Sequence, residues 1–296
     1  MSYREFLTSP SPVFSGCQTT FEDAEFVVLG VPFDATSTYR SGARFAPLAI
    51  REASLNIEAY SFRTNMDAGG VNLCDIGDLV PAGRVDETLK QLEMVIKELL
   101  TAKKTPVIIG GEHTITLGAM QSVGKGTAVV SLDAHLDLRD EYMGRTLSHT
   151  TFMRRLDEKV RSKKILEIGT RAVCKEELEY AERSDIKFLT VQQIRREGVK
   201  NILNTAKNFL ADVEKIYLTI DFDVLDPAFA PAVQNPEPDG LDMRVFLDIL
   251  GSLCDRRVVG LDLVEVTPHY DNGVTAIQAA KTMFEVLCCI EKARKG

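Results

Sequence analysis

Along the chain, runs of apolar, largely β-branched residues alternate with segments in which apolar residues recur every three or four positions. The runs predict strands at Glu25–Val31, Asn72–Leu79, Pro106–Gly110, Thr127–Leu132, Lys164–Gly169, Ile186–Thr190, Lys215–Ile220 and Arg257–Val264. Several are apolar almost throughout, as strands covered on both faces must be. Leu89, Leu92, Ile96 and Leu99 share one face of a helix from Asp86 onward, and Ile277, Ala280, Phe284 and Leu287 do the same near the C-terminus. Strand–helix alternation predicts an α/β fold, a largely parallel sheet with helices on both sides. No repeat or linker divides the chain, so residues 1–296 read as one domain. The proline-rich stretch Pro227–Pro238 follows a strand and precedes a helix, and reads as a long, ordered, functional loop.

Composition narrows the class. Of 296 residues, 45% are hydrophobic and 26% charged, enough to build a substantial core. The net charge of −8 argues against a general binder of nucleic-acid backbones and suits a cationic small molecule or a metal. No apolar run approaches the length of a membrane span, and Met1–Gly16 lacks the apolar core of a secretory signal. Cys17, Cys74, Cys174, Cys254, Cys288 and Cys289 are scattered without a CxxC pair, which predicts reduced thiols and a cytoplasmic protein. Cys288 and Cys289 fall in an apolar helical stretch and read as buried hydrophobes.

The candidate chemistry lies where predicted strands end. His113 follows Pro106–Gly110 in Gly110-Gly111-Glu112-His113; Asp133, His135 and Asp137 follow Thr127–Leu132; Asp221 and Asp223 follow Lys215–Ile220; Glu265 follows Arg257–Val264. Open α/β sheets bind ligands beyond the carboxyl ends of their strands. In extended backbone alternate side chains share a side, so Asp-x-His-x-Asp and Asp-x-Asp each aim several donors at one place. Four carboxylates gathered in a cleft repel unless countered, and two divalent cations would counter four Asp. Imidazole with carboxylate suits Mn²⁺, Zn²⁺, Fe²⁺ or Co²⁺, and the oxygen-rich set favours Mn²⁺. A hydrogen-bonded structural His and an Asx turn are the plainer readings of His113 and of Asp221-x-Asp223 taken singly. Turn chemistry has no use for His135.

The chain resembles the ureohydrolases (arginase, agmatinase, formiminoglutamase) from about Phe26 to the C-terminus. The resemblance is carried by Gly110-Gly111-Glu112-His113, Asp133-Ala134-His135-Leu136-Asp137, Ser148-His149-Thr150-Thr151, the run Asp221 to Pro227, Leu263-Val264-Glu265-Val266-Thr267-Pro268, and the run Arg40 to Pro47. It implies a three-layer αβα sandwich with a mostly parallel eight-stranded sheet, two Mn²⁺ per subunit, and homotrimers or homohexamers. It implies one metal held by His113, Asp133, Asp137 and Asp221 and the other by His135, Asp133, Asp221 and Asp223. Glu265 would bind the substrate guanidinium, Asp137 would carry a proton, and His149 would shuttle protons or hydrogen-bond in the pocket wall. The chain departs from the family at Glu112, usually Asp, at Thr114, usually Ser, and at Val233-Gln234-Asn235, where Gly-Thr-Gly is usual. No proposed ligand is altered.

The segment from Asp137 to Tyr142 followed by Ser148-His149 looks more like prokaryotic agmatinases than arginases. That implies cleavage of agmatine to urea and putrescine, a step of polyamine formation. N1-aminopropylagmatine, arginine, guanidinobutyrate and formiminoglutamate are alternatives. Asp140 and Glu141 could favour an amine tail, and Arg139 a carboxylate. A catalytically silent protein on the same fold, a two-metal phosphoesterase or nuclease, and a single-zinc deacetylase are other classes. His269 sits either at the pocket rim or on an exposed loop.

Overall fold

The computed structural model describes residues 3–9, 12–16 and 18–296, so Cys17 lies outside the described residues. The strands are β1 (Leu7–Thr8), β2 (Phe26–Gly30), β3 (Leu73–Leu79), β4 (Thr105–Ile109), β5 (Thr127–Leu132), β6 (Ile165–Thr170), β7 (Ile186–Thr190), β8 (Lys215–Asp221) and β9 (Val258–Val264). They form one sheet in the order β1-β3-β2-β4-β9-β8-β5-β6-β7. All eight strands expected from the apolar runs are present and mutually parallel. The ninth, β1, was not expected; it pairs antiparallel on the edge, Leu7 opposite Leu79 and Thr8 opposite Asp78. A separate ribbon pairs Tyr60–Ser61 with Met66–Asp67.

Alternate residues of each strand enter two different cores. Phe26, Val28, Val107, Ile109, Val130, Leu132, Leu218 and Ile220 join one. Val27, Leu29, Ile108, Val129 and Tyr217 join the other. With both faces buried, period-two alternation vanishes from the sequence and leaves the continuous apolar runs. The first core is closed by helices α1 (Ala46–Ser54), α7 (Val199–Phe209), α8 (Met243–Leu253) and α9 (Val274–Lys295). The second is closed by α2 (Val85–Thr101), α3 (Ile115–Val123), α4 (Phe152–Arg155) and α5 (Lys175–Arg183); α6 (Val191–Glu197) follows β7. The result is a three-layer αβα sandwich.

On α2 the four expected residues are buried, and so are Ala280, Phe284 and Leu287 on α9. Ile277 is not: it is 45% exposed in the first turn of α9, beside the exposed Val274. In that turn it is Thr275 and Ala276 that are buried, so the covered face there is not the one that carries Ile277. Cys74, Cys174, Cys254, Cys288 and Cys289 are free. Cys288 is buried as expected, while Cys289 is only partly so. Among the described residues, no helix is long and apolar enough to cross a membrane.

Chain order sets the position of the site. β4 and β5 are consecutive in sequence but are separated in the sheet by β9 and β8. β4 and β5 lead into α3 and α4 on one face, whereas β9 and β8 lead into α9 and α8 on the other. Adjacent strands thus send their connections to opposite faces, and such a switch point opens a crevice at the carboxyl ends. The four central neighbours β4, β9, β8 and β5 are the strands whose ends carry the candidate residues.

Candidate metal centre

The glycines after β4 are dictated by closeness. A Cβ on Gly110 would lie 2.5 Å from the Leu263 carbonyl oxygen, and one on Gly111 would lie 2.0 Å from that of Phe33. Their absence lets the backbone run against β9 and carry His113 into the crevice. Asp137 and Glu265 are both held at positive φ, 52° and 70°. Non-glycine residues there cost roughly 1–3 kcal/mol each, and such strain persists where surrounding contacts over-determine it. Glu265 is so determined: its N–H donates to the Gly111 carbonyl and its own carbonyl accepts from Gln234 N.

Five of the expected residues form two overlapping groups that could each hold a metal ion: His113, Asp133 and Asp221, then Asp133, His135 and Asp223. The Nδ1 of His113 lies 3.1 Å from Asp133 Oδ2, 3.1 Å from Asp221 Oδ2 and 3.4 Å from Asp137 Oδ2. His135 Nδ1 lies 3.0 Å from Asp223 Oδ2 and 3.6 Å from Asp133 Oδ1. Asp133 thus turns one oxygen to each group. Asp221 Oδ1 accepts Asp223 N at 2.9 Å, which leaves its Oδ2 for the cluster.

The tautomer of His113 tests whether a cation fits. Thr219 donates its hydroxyl proton to Asp262 and so meets His113 Nε2, 2.8 Å away, as an acceptor. Nε2 therefore carries the hydrogen and Nδ1 presents a lone pair. That Nδ1 is buried without a hydrogen-bond partner among the described residues, facing three carboxylate oxygens. A lone pair among anions is repulsive, and a cation between them makes it attractive. Burial acts to lower the His113 pKa, yet Asp133, Asp137 and Asp221 raise it well above the usual value, so the cluster draws positive charge to that nitrogen. Burial, with Asp223 and Asp133, pushes Asp221 up; burial and Asp133 push Asp137 up to about 7. The donors form a binuclear metal-binding site.

Glu265 faces this cluster across a small cavity. It is 2% exposed. Its Oε1 accepts His113 N at 2.5 Å and its Oε2 accepts the side-chain amide of Gln234, whose own carbonyl accepts the Ser37 hydroxyl. Burial raises its pKa well above the usual range, opposed by those two donors. His149 is also buried. Its Nε2 meets Thr38 Oγ1 at 3.0 Å, its Nδ1 lies 3.9 Å from Glu265, and burial with the nearby His135 and His113 lowers its pKa to about 3.

The inner cavity, about 30 Å³, is lined by His135, Asp137, His149, Asp221, Asn235 and Glu265 among others. It leads to an outer bowl of about 450 Å³ lined by Arg139, Tyr142, Arg171, Glu177 and Glu237. The Arg171 guanidinium pins the 227–238 loop by donating to the carbonyls of Asp223, Leu225, Glu237 and Pro238. Glu177 is spent on the N–H groups of Leu138 and Cys174. Asp140 is turned to Arg154 and Arg155 and Glu141 is exposed, so neither lines the bowl. His269 is exposed and packs at a tilt against Phe45, ring centroids 4.5 Å apart.

Sequence reasoning missed the support. Thr219 stands two residues before Asp221 on β8, and Asp262 interrupts the apolar run of β9; the alternation that flagged Asp221 and Asp223 would have flagged both. Asp262 Oδ2 also accepts the hydroxyls of Tyr217 at 2.8 Å and Thr116 at 2.9 Å. Glu112, noted only as a departure, accepts the N–H and hydroxyl of Thr36 and the hydroxyl of Thr114.

A family model for the arginase family matches residues 24–289. An agmatinase of Bacillus anthracis is 34% identical, over 93% of this chain and 95% of its own. An N(1)-aminopropylagmatine ureohydrolase of Thermococcus kodakarensis is 34% identical, over 89% of this chain and 90% of its own. The crystal structure of the agmatine ureohydrolase of Thermoplasma volcanium superposes with a TM-score of 0.87 at 34% identity, covering 94% of this chain and 93% of that one. The chain therefore belongs to the arginase family, and its paired imidazole–carboxylate groups are those of a metal-dependent hydrolase.

Proposed function

We propose that this protein hydrolyses a small cationic guanidino compound to urea and an amine, and that the substrate is agmatine, giving putrescine. The observation that carries the reading is the placement of Glu265, a buried carboxylate fixed at both oxygens, across a small cavity from the two metal-binding groups. His113, Asp133, Asp137 and Asp221 would hold one ion, and His135, Asp133, Asp221 and Asp223 the other, with Mn²⁺ favoured by the oxygen-rich donor set. Bound there, two divalent cations supply an activated water at neutral pH and stabilise developing negative charge.

The chain's own groups supply the rest. A guanidinium offers only donors, and Glu265 accepts from it, holding its carbon over the cluster. Asp137 carries a proton from the attacking to the leaving group. His149, uncharged at neutral pH, hydrogen-bonds in the wall beside Thr38. For the tail, Glu237, whose Oε1 lies 3.7 Å from His135 Nε2, is the bowl carboxylate that stays partly exposed, 39% at its side chain, and it suits an ammonium end. The similarity to the Bacillus anthracis agmatinase supports agmatine.

The volume of the bowl and the likeness to the Thermococcus kodakarensis enzyme favour N1-aminopropylagmatine as the second reading. The proposal includes a cytoplasmic homotrimer or homohexamer with no nucleic-acid partner. The test is urea release by the Mn²⁺-loaded protein from agmatine, aminopropylagmatine, arginine and guanidinobutyrate. Agmatine should give the highest kcat/KM; a clear preference for another of the four replaces agmatine with that compound.

A further inference from the structure

We infer that the side-chain carbonyl of Asn235 accepts a hydrogen bond from the alkyl-bearing nitrogen of the guanidine substrate, and so selects N-alkylguanidinium ions over isosteres that lack that N–H. The inference rests on the guanidine-hydrolase reading above. Four residues line both the inner cavity and the outer bowl: His135, Asp137, Thr150 and Asn235. They form the neck through which a substrate tail leaves the cavity. His135 and Asp137 belong to the metal cluster, and the Thr150 hydroxyl meets that of Ser148 at 3.0 Å.

Asn235 is different. Its Oδ1 is buried and has no hydrogen-bond partner among the described residues. Its Nδ2 is directed at Thr38 Oγ1, 3.4 Å away. Buried carbonyls in native structures have donors, so this one is matched to a donor that arrives from outside the chain. With the guanidinium carbon over the metal cluster and its end nitrogens at Glu265, the nitrogen that bears the tail occupies the neck. That nitrogen carries one N–H and accepts nothing. Asn235 also falls in the Val233-Gln234-Asn235 segment, where the chain departs from its family.

An S-alkylisothiourea with the same tail tests this, because it keeps the cation and shape and replaces the N–H by sulfur. A hydrogen bond from a charged donor is worth roughly 10- to 100-fold in binding. In the wild type, the isothiourea Ki should exceed the KM of the matching alkylguanidine by that factor. In Asn235→Ala the ratio should fall close to one, while Asn235→Asp, which keeps an acceptor, should retain it. A wild-type ratio near one, an unchanged ratio in Asn235→Ala, or its loss in Asn235→Asp overturns the inference. If Asn235→Ala does not fold, the wild-type and Asn235→Asp ratios decide. Wild-type protein that releases no urea from any alkylguanidine fails the underlying function instead, a separate outcome of the same assay.

Discussion

Asp133 presents its Oδ2 3.1 Å from the Nδ1 of His113 and keeps its Oδ1 for the second imidazole, that of His135. One carboxylate thus serves both halves of the centre. Asp133→Asn removes charge from both at once. Metal content, measured by elemental analysis after dialysis, should fall from two ions per subunit to fewer than one. Turnover should drop by more than the roughly 10- to 100-fold that a change in an outer-shell partner costs. Retention of two ions and wild-type turnover contradicts the assignment.

The support behind His113 makes a milder prediction. Thr219→Val leaves His113 Nε2–H without its acceptor and cuts the link to Asp262. Metal affinity should weaken by roughly 10- to 100-fold with the fold intact, since outer-shell partners fix the orientation and basicity of the ligand. Metal titration followed by calorimetry reads the constant directly. An unchanged constant means that Thr219 does not orient the ring.

A stability prediction concerns a site far from the chemistry. Arg51, with 3% of its side chain exposed, donates to both oxygens of Asp75, to Asp78 Oδ1 and to the Gly77 carbonyl, and so ties α1 to β3. Asp75 also accepts Phe14 N. Removing one partner of a buried ion pair strands the other, at about 3–5 kcal/mol. Arg51→Ala should show that loss in urea denaturation, and a change below about 1 kcal/mol would place the pair among those of little worth.

His149 gives the pH dependence. Its folded pKa is lowered to about 3 from 6.5, mainly by burial. Between those values the unfolded chain binds a proton that the folded chain does not, so this group makes stability rise with pH and fall as pH drops below about 6.5. His149→Asn should lose less stability than wild type between pH 7 and pH 5. Parallel losses of the two denaturation midpoints would mean that His149 titrates normally in the fold.

Much of the architecture was legible because both faces of the central strands are buried. The runs at Phe26–Gly30, Thr127–Leu132 and Lys215–Asp221 could be little else. Leu7–Thr8 could not be read, since two residues carry no period and their partners, Leu79 and Asp78, lie far off in sequence. Ile277 misled because the covered face of that first turn carries Thr275 and Ala276 instead. The site's donors were legible as polar residues closing apolar strands. Gln234 and Asn235 were legible only as a departure, because they act from an irregular loop. Their partners, Glu265 and Thr38, lie far off in sequence and come near only through the fold.

The central claim is that a binuclear metal centre in this chain splits a guanidinium group. The most direct measurement is product stoichiometry from agmatine with the Mn²⁺-loaded protein. One urea and one putrescine should form per agmatine consumed, with the activity lost on chelation and restored by Mn²⁺. Absence of urea from agmatine and from every other guanidino compound tested, with both metal positions filled, contradicts it.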